Sequence, residues 1–306
     1  MKAIRIQNYK DTPTLQETPI PDIGHDQVLV RVQAAALNPL DQYVVAGAVA
    51  EYFPVSLPYT VASDFAGVVE HVGSSVTQWK VGDAVIAWNA PAAGGGLAEF
   101  AAVPAASCVA LPTALQAFEG AGIPTAASTA WHALFSIAQL KAGETVLIHG
   151  AAGGVGTFAV QFAHKIGAHV VATTSGDAVA LVRQLGAAQV IDYTTEDFAT
   201  IASNLDVVLD LIGGEVQSKS YGLLRKGGRL ISTVAPPDEG LAAERGVTAN
   251  MLFVPAYHDR LGEVVQAIAE KDIKVVVGRR LHISEVEQAW GKVAAHSRGK
   301  TIITIE

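Results

Sequence analysis

The run Ala151-Ala152-Gly153-Gly154-Val155-Gly156 has the residue types needed to bind a phosphate with main chain alone. Measured against the dinucleotide spacing G-x-G-x-x-G, alanine fills the first slot and glycine the second and third. Gly153 lets the backbone approach a pyrophosphate, Gly156 lets a helix pack close to a strand, and the negative charge sits at the helix N-terminus. Such a turn can also be no more than a tight strand-to-helix connection. Its context argues for binding. Val146, Leu147 and Ile148 before it form the short apolar run of a strand buried on both faces. After it, Val155, Ala159, Val160, Phe162, Ala163 and Ile166 recur at helical spacing until Gly167 supplies the stop. His169 to Ala172 then begin a second strand. Thr145 to Ser175 thus reads as half of a dinucleotide site, with Ala151, Gly153, Gly154, Val155 and Gly156 at the phosphates.

An NAD site carries Asp or Glu about twenty residues past the first glycine, where a carboxylate accepts the ribose hydroxyls. Here that place reads Thr173-Thr174-Ser175-Gly176. Small hydroxyls do not repel a 2′-phosphate, so Thr174 and Ser175 favour NADP(H). Asp177 follows closely and opposes this preference. No Lys or Arg occupies the turn, and Arg183 on the next helix is the nearest cation. A polar strand end facing water is the alternative reading.

The elements that must position this turn change character along the chain. Up to about Ile123, short alternating stretches rich in Val, Gly and Pro read as β structure. Gln27 to Ala35 is the clearest strand, with Val28, Val30 and Val32 on one face. Phe65 to Val72 and Asp83 to Trp88 are further strands, and Pro91 to Gly96 reads as a flexible loop. From Thr125, a helix through Trp131 to Gln139 leads into strands alternating with helices, which predicts a parallel, doubly wound sheet. Its strands are expected at Thr145 to His149, His169 to Thr173, Gln189 to Asp192, Asp206 to Asp210 and Gly228 to Val234, with Lys226-Gly227-Gly228 turning into the last. Beyond Pro237 comes a mobile-looking segment. A helix near Leu261 to Glu270, a strand near Lys274 to Arg280, a helix Ser284 to Ala295 and a final strand complete the chain. The expected organisation is an α/β protein with a Rossmann domain over 124–269 and a β-rich domain over 1–123 and 270–306.

Length and composition agree with two ordinary domains: 306 residues, half of them apolar. No apolar run is long enough to span a membrane and the N-terminus lacks a secretory leader pattern, so the expected location is the cytoplasm. Cys108 is the only cysteine, which excludes an intrachain disulfide and a zinc site built from cysteines. A formal net charge of −8 without a basic cluster argues against nucleic acid or an acidic membrane as partner. The nine histidines show no metal-like spacing.

The order of β domain, Rossmann half and short return resembles the medium-chain dehydrogenase/reductase superfamily, whose β-rich catalytic domain is GroES-like. The segments Leu37-Asn38-Pro39-Leu40-Asp41-Gln42-Tyr43 and Tyr59-Thr60-Val61-Ala62-Ser63-Asp64-Phe65-Ala66-Gly67-Val68-Val69 look like its zinc-independent quinone oxidoreductase branch. So do Thr129-Ala130-Trp131, the glycine turn, Val190-Ile191-Asp192-Tyr193 and Arg298-Gly299-Lys300. Zinc members of the superfamily hold catalytic zinc with Cys in the segment where Asn38 stands and His where Ser63 stands. Neither ligand is present, and a catalytic zinc site needs about three protein ligands.

The resemblance implies an NADPH-dependent reductase whose acceptor, a quinone or other conjugated carbonyl, carries its own electron sink. The protein then has to position the reactants and supply hydrogen-bond donors where charge develops. An enoyl or enone reductase of the same fold is the rival reading. A cofactor-binding protein with little turnover is the second rival. By resemblance, Asn38 and Tyr43 stand beside the nicotinamide and Thr129 contacts the cofactor, making these three the expected catalytic residues. Asp41 is expected to anchor its own loop. Tyr193 matches a tyrosine along the adenosine end, Val234 the segment near the nicotinamide, and Arg298 or His296 a C-terminal basic position. Acceptor-lining residues are expected near Tyr43 to Phe53, Trp88 to Leu97 and Phe253 to Tyr257. No metal is expected, and a homodimer is, through the valine-rich Lys274 to Arg280.

Overall fold

The computed structural model describes residues 1–252, 260–293 and 298–305. The chain divides into two compact units: Met1–Thr125 with His258–Ala269 and Val277–Glu306, and Ala126–Tyr257 with Glu270–Val276. The first unit opens with eight strands, β1 (Lys2–Ile6), β2 (Thr14–Glu17), β3 (Gln27–Leu37), β4 (Tyr59–Thr60), β5 (Asp64–Val72), β6 (Ala84–Trp88), β7 (Phe100–Pro104) and β8 (Cys108–Ala110), and two short helices, α1 (Pro39–Val45) and α2 (Ala117–Ala121). β3 is the organiser. Val28, Val30 and Val32 are fully buried, as their alternation predicts, and they pack with Phe65, Val85 and Val103 in one core. The strand runs two residues past the predicted end because Ala36 pairs antiparallel with Asp64 on one side and Ala36 and Leu37 pair antiparallel with Ile302 and Thr301 on the other. The segment Pro91 to Gly96 is tethered rather than loose. Gly95 and Gly96 donate to the carbonyls of Thr60 and Ala62, and the Tyr59 hydroxyl donates to Pro91 O at 2.7 Å.

The second unit contains α3 from Ala126 onward (the helix spans Pro124–Trp131), a π-helical stretch His132–Ile137, and then β9 (Thr145–Ile148), α4 (Gly154–Lys165), β10 (His169–Thr174), α5 (Val179–Gln184), β11 (Gln189–Asp192), α6 (Phe198–Ile201), β12 (Leu205–Asp210), α7 (Gly214–Ser220), β13 (Leu224–Ser232), α8 (Glu239–Arg245) and β14 (Thr248–Met251). Strand order is β11-β10-β9-β12-β13-β14, and every pairing is parallel. The order reverses between β9 and β12, the switch point at which open α/β sheets bind ligands.

Three expectations need correction here. The single helix to Gln139 changes to π-type hydrogen bonding after Trp131, with Ala138 N–H on Ala133 O. Lys226-Gly227-Gly228 is not a turn into β13 but lies within it, where the pairing with β12 shifts register. The segment after Pro237, taken as mobile-looking, forms α8 and β14. Asp238 caps α8 through the Leu241 N–H, Gly246 ends it in the left-handed region at φ 63°, and β14 adds to the sheet beside β13.

The chain closes with α9 (Leu261–Glu270), β15 (Val277–His282), α10 (Val286–Val293) and β16 (Lys300–Thr304). β16 pairs antiparallel with β3 and parallel with β15, giving a seven-stranded sheet in the first unit. The predicted strand Lys274 to Arg280 is therefore not one element. Lys274 belongs to the second unit, where its N–H and C=O are held by the Gln161 amide on α4 at 2.8 and 3.0 Å, and the strand begins at Val277. Phe253 to Tyr257, His296 and the end of the predicted helix at Ala295 lie outside the described residues. No described helix is long and apolar enough to cross a membrane.

Candidate active site

In the second unit the phosphate turn is built as a strand, a tight reversal and an uncapped helix. The reversal is made by Gly150, at φ +65°, one residue ahead of the slot that Ala151 fills. The working pattern is thus Gly150, Gly153 and Gly156, and the alanine is no defect: Ala151 is fully buried with its N–H on Thr173 O. A side chain on Gly156 would place its Cβ 2.3 Å from Gly150 O and 2.7 Å from the Ala151 backbone, so only glycine allows this closeness of helix and turn. Gly153 is the N-cap of α4 and provides no side-chain acceptor, and the first turn holds no acidic residue. The leading N–H groups of a twelve-residue helix are therefore left to an anion, which fits a dinucleotide pyrophosphate.

Behind the turn sits His149, fully enclosed. Ser220 Oγ gives its only hydrogen to Val216 O at 2.6 Å, so it accepts from His149 Nε2–H at 2.9 Å, and Nδ1 accepts from Thr173 Oγ1 at 3.0 Å. Burial lowers the imidazole to about 4, opposed by the nearby Asp210 carboxylate, so the ring stays neutral. His149 is a core strut, not a ligand. Asp210 organises the neighbouring strand end, accepting from the N–H groups of Ile212 and Gly213, from Gln217 Nε2 and from Ser232 Oγ at 2.8 to 3.0 Å. This network presents Ile212 and Val234, each about half exposed, beside Gly150 and Gly213. Ile212 was missed in the sequence; its signal was an apolar residue between a strand-ending Asp and a glycine pair.

At the end of β10, Thr174 is buried and Ser175 half-buried, so Ser175 is the more accessible hydroxyl. Tyr193 is exposed, with its N–H on Thr174 O. Asp192, in the sequence only a member of the motif with Tyr193, is fixed at the same end of the sheet. Its carboxylate accepts from the Thr194 hydroxyl and N–H and, more weakly, from Gly176 N–H, which together hold it below the ordinary carboxylate range. Asp177 is exposed. On α3, Thr129 is buried, and beside it Ser128 Oγ is buried without a hydrogen-bond partner among the described residues, the kind of group a bound molecule satisfies.

The first unit carries the other group of expected residues, Asn38, Tyr43 and Arg298. Asn38 follows β3 directly and is the N-cap of α1, Pro39 opens the helix, and Asp41 Oδ2 accepts the Asn38 N–H at 2.7 Å. Tyr43 is more than half exposed on the same helix, whereas Asn38 is buried. Arg298 is exposed ahead of β16. Under Asn38 lies a set of charges unforeseen in the sequence. Lys300 Nζ donates to Asn38 Oδ1 at 2.5 Å and stands 3.9 Å from Asp64 Oδ2, while Asn38 Nδ2 donates to Asp64 Oδ2 at 2.9 Å. Thr125 adds its N–H and hydroxyl to Asp64 at 3.1 and 2.7 Å.

Two carboxyl groups and one ammonium are thus enclosed together, and such a cluster is neutral when one carboxyl keeps its proton. Asp64, with three donors and the ammonium, has the better-supported charged form, although burial raises it. Burial pushes Asp41 up to about 7, against the Asn38 N–H and Lys300 and with the Asp64 charge adding to the rise, so below neutral pH it keeps its proton. Burial likewise lowers Lys300.

This donor set does not suit zinc. Asn38 Oδ1 already accepts from an ammonium that also neighbours Asp64, and Ser63 offers only a neutral hydroxyl, which is buried and has no partner among the described residues. Among the described residues no group of three His, Cys, Asp or Glu could hold a metal ion.

A parallel dinucleotide-type sheet with its glycine turn, together with a mostly antiparallel β unit, matches the organisation of a medium-chain dehydrogenase/reductase. Comparison with known proteins agrees. Residues 24–113 match the model of the alcohol dehydrogenase GroES-like domain, and residues 185–303 that of the zinc-binding dehydrogenases. The chain is 33% identical to a chloroplastic quinone-oxidoreductase homolog of Spinacia oleracea, over 99% of this chain and 98% of that protein. Its structure resembles the quinone oxidoreductase of Coxiella burnetii, at TM-score 0.92 and 30% identity over 100% and 99% of the two chains. It also resembles a mycobacterial protein solved with NADPH, at TM-score 0.88 and 27% identity over the whole of both chains. The chain belongs to the quinone oxidoreductase branch of the medium-chain dehydrogenase/reductase superfamily, and is by that membership an oxidoreductase.

Proposed function

We propose that the protein is a zinc-independent, NADPH-dependent reductase of quinones or other conjugated carbonyl compounds. The observation that carries this reading is the Lys300 ammonium on Asn38 and beside Asp64, at the segment where, by the resemblance, zinc-dependent members carry a Cys ligand in place of Asn38. A resident cation without Lewis acidity suits an acceptor that needs no metal to polarise it. The likeness to a quinone oxidoreductase and to a structure holding NADPH supports the same conclusion. NADPH, when bound, supplies the hydride. The open N-terminus of α4 and the turn Ala151 to Gly156 bind its pyrophosphate, Thr129 and Val234 contact its nicotinamide half, and Thr174, Ser175, Tyr193 and Arg298 serve its adenosine half. Asn38 and Tyr43 donate hydrogen bonds to the acceptor oxygen as negative charge develops there. The location proposed is the cytoplasm.

Stopped-flow mixing of NADPH-loaded enzyme with a benzoquinone, an enone and buffer tests the reading. Rapid loss of the reduced-nicotinamide absorbance with quinone, undiminished by chelator and several-fold weaker with NADH at equal concentration, is expected. Faster oxidation by the enone would favour the alkene-reductase alternative, and no oxidation by either acceptor would leave only a cofactor-binding protein.

A further inference from the structure

The two hydrogen bonds of the Asn38 amide set its orientation. An ammonium only donates and a carboxylate only accepts, so the amide oxygen must face Lys300 and its nitrogen Asp64. Strand register creates this meeting. β16 pairs Thr301 with Leu37, which puts Lys300 opposite Asn38, and β3 pairs Ala36 with Asp64. One Nδ2 hydrogen goes to Asp64, and the second makes no hydrogen bond among the described residues.

We propose that Lys300 is a positioning residue, whose ammonium fixes and polarises the Asn38 amide so that its remaining Nδ2–H is a preorganised donor to the oxygen of the reduced acceptor. The inference rests on the reading that Asn38 serves that oxygen. Its physical basis is the charge-assisted bond to Oδ1, which draws electron density toward the amide oxygen and makes the N–H groups better donors. Fold stability alone gives no reason for the charge, since apolar groups of similar volume commonly replace a buried ion pair without loss. Lys300 also makes a second, longer bond to Leu37 O at 3.4 Å, which holds the ammonium at the end of β3.

The test uses Lys300→Met and the double variant Lys300→Met/Asp64→Asn, which leaves no unpaired buried charge. The chain has five asparagines, so selective ¹⁵N-asparagine labelling isolates the Asn38 side-chain protons, assigned by their loss in Asn38→Ala. In the free protein these protons are expected at low field and should move upfield in both Lys300 variants. Turnover with quinone should fall roughly ten- to a hundred-fold with the KM for NADPH within about twofold, and Lys300→Met should add nothing in an Asn38→Ala background. Full turnover in the folded double variant, additive losses, or unmoved amide protons each overturn the proposal, as does failure of both variants to fold. Should the wild type reduce neither quinone nor enone, the reductase reading fails, and the amide shifts alone decide the role of Lys300.

Discussion

The exposed Tyr43 hydroxyl and the buried Asn38 amide stand on adjacent turns of chain but are differently constrained. Asn38 is bound on both ends of its amide, whereas Tyr43 projects from α1 with more than half its surface open. Tyr43→Phe removes one donor and keeps the ring. Turnover with quinone is expected to fall roughly ten- to a thousand-fold with NADPH affinity nearly unchanged, measured by steady-state kinetics and a binding titration. Unchanged turnover would make Tyr43 a packing residue. Asp41 permits a second prediction. Its folded pKa of about 7 lies above the ordinary 3.8, so the folded protein keeps a proton that the unfolded chain releases between those values. Stability from this group is therefore full below pH 3.8 and is lost as pH rises to 7. Urea unfolding should show the wild type losing on the order of 4 kcal/mol relative to Asp41→Asn across that window. A constant difference between the two proteins would mean that Asp41 is ionised throughout.

Among the elements, the join of β9 to α4 is the least forgiving. The backbone atoms a Cβ would meet at Gly156 have no side-chain freedom to yield. Gly156→Ala should lower stability by about 1–3 kcal/mol and weaken NADPH at least tenfold, read from thermal unfolding and from quenching of protein fluorescence. Wild-type binding in that variant would separate the turn from the phosphate site. This element was legible in advance because its signals are local: an apolar run, closely spaced glycines and a helical period. Its frame was misjudged by one residue, since the positive φ falls on Gly150, and a φ angle is not written in a spacing. α8 shows the converse. Asp238 and Gly246 are ordinary start and stop signals, but the stretch after Pro237 has little apolar periodicity, and β14 is half-exposed to fully exposed, so nothing in it announced a strand.

For the whole molecule, the open sheet edges matter most. β15 ends the seven-stranded sheet and β14 the six-stranded one, each with one neighbour among the described residues. We propose a homodimer with pairing across a two-fold axis at the strand Val277–His282, which overlaps the predicted segment from Val277 to Arg280. Sedimentation equilibrium at micromolar concentration should give twice the 31.8 kDa chain mass, and dimer lost on replacing Arg279 with proline would place the contact there. A monomer at all concentrations would remove the idea.

The amino-acid order alone determined the parallel sheet, the β-rich first part, the phosphate turn and the family, because alternation, helical period, glycine spacing and short motifs are properties of neighbouring residues. Only the tertiary structure decided the charge state under Asn38. Lys300 lies 262 residues from its partner and was visible in the sequence solely as the end of a short basic motif. Its ammonium reaches Asn38 because β16 returns beside β3 in one particular register, and its charge matters because the same packing buries Asp41 and Asp64 with it. Long-range register and burial arise only once distant strands pair, and they turn three ordinary ionisable residues into one coupled, enclosed cluster.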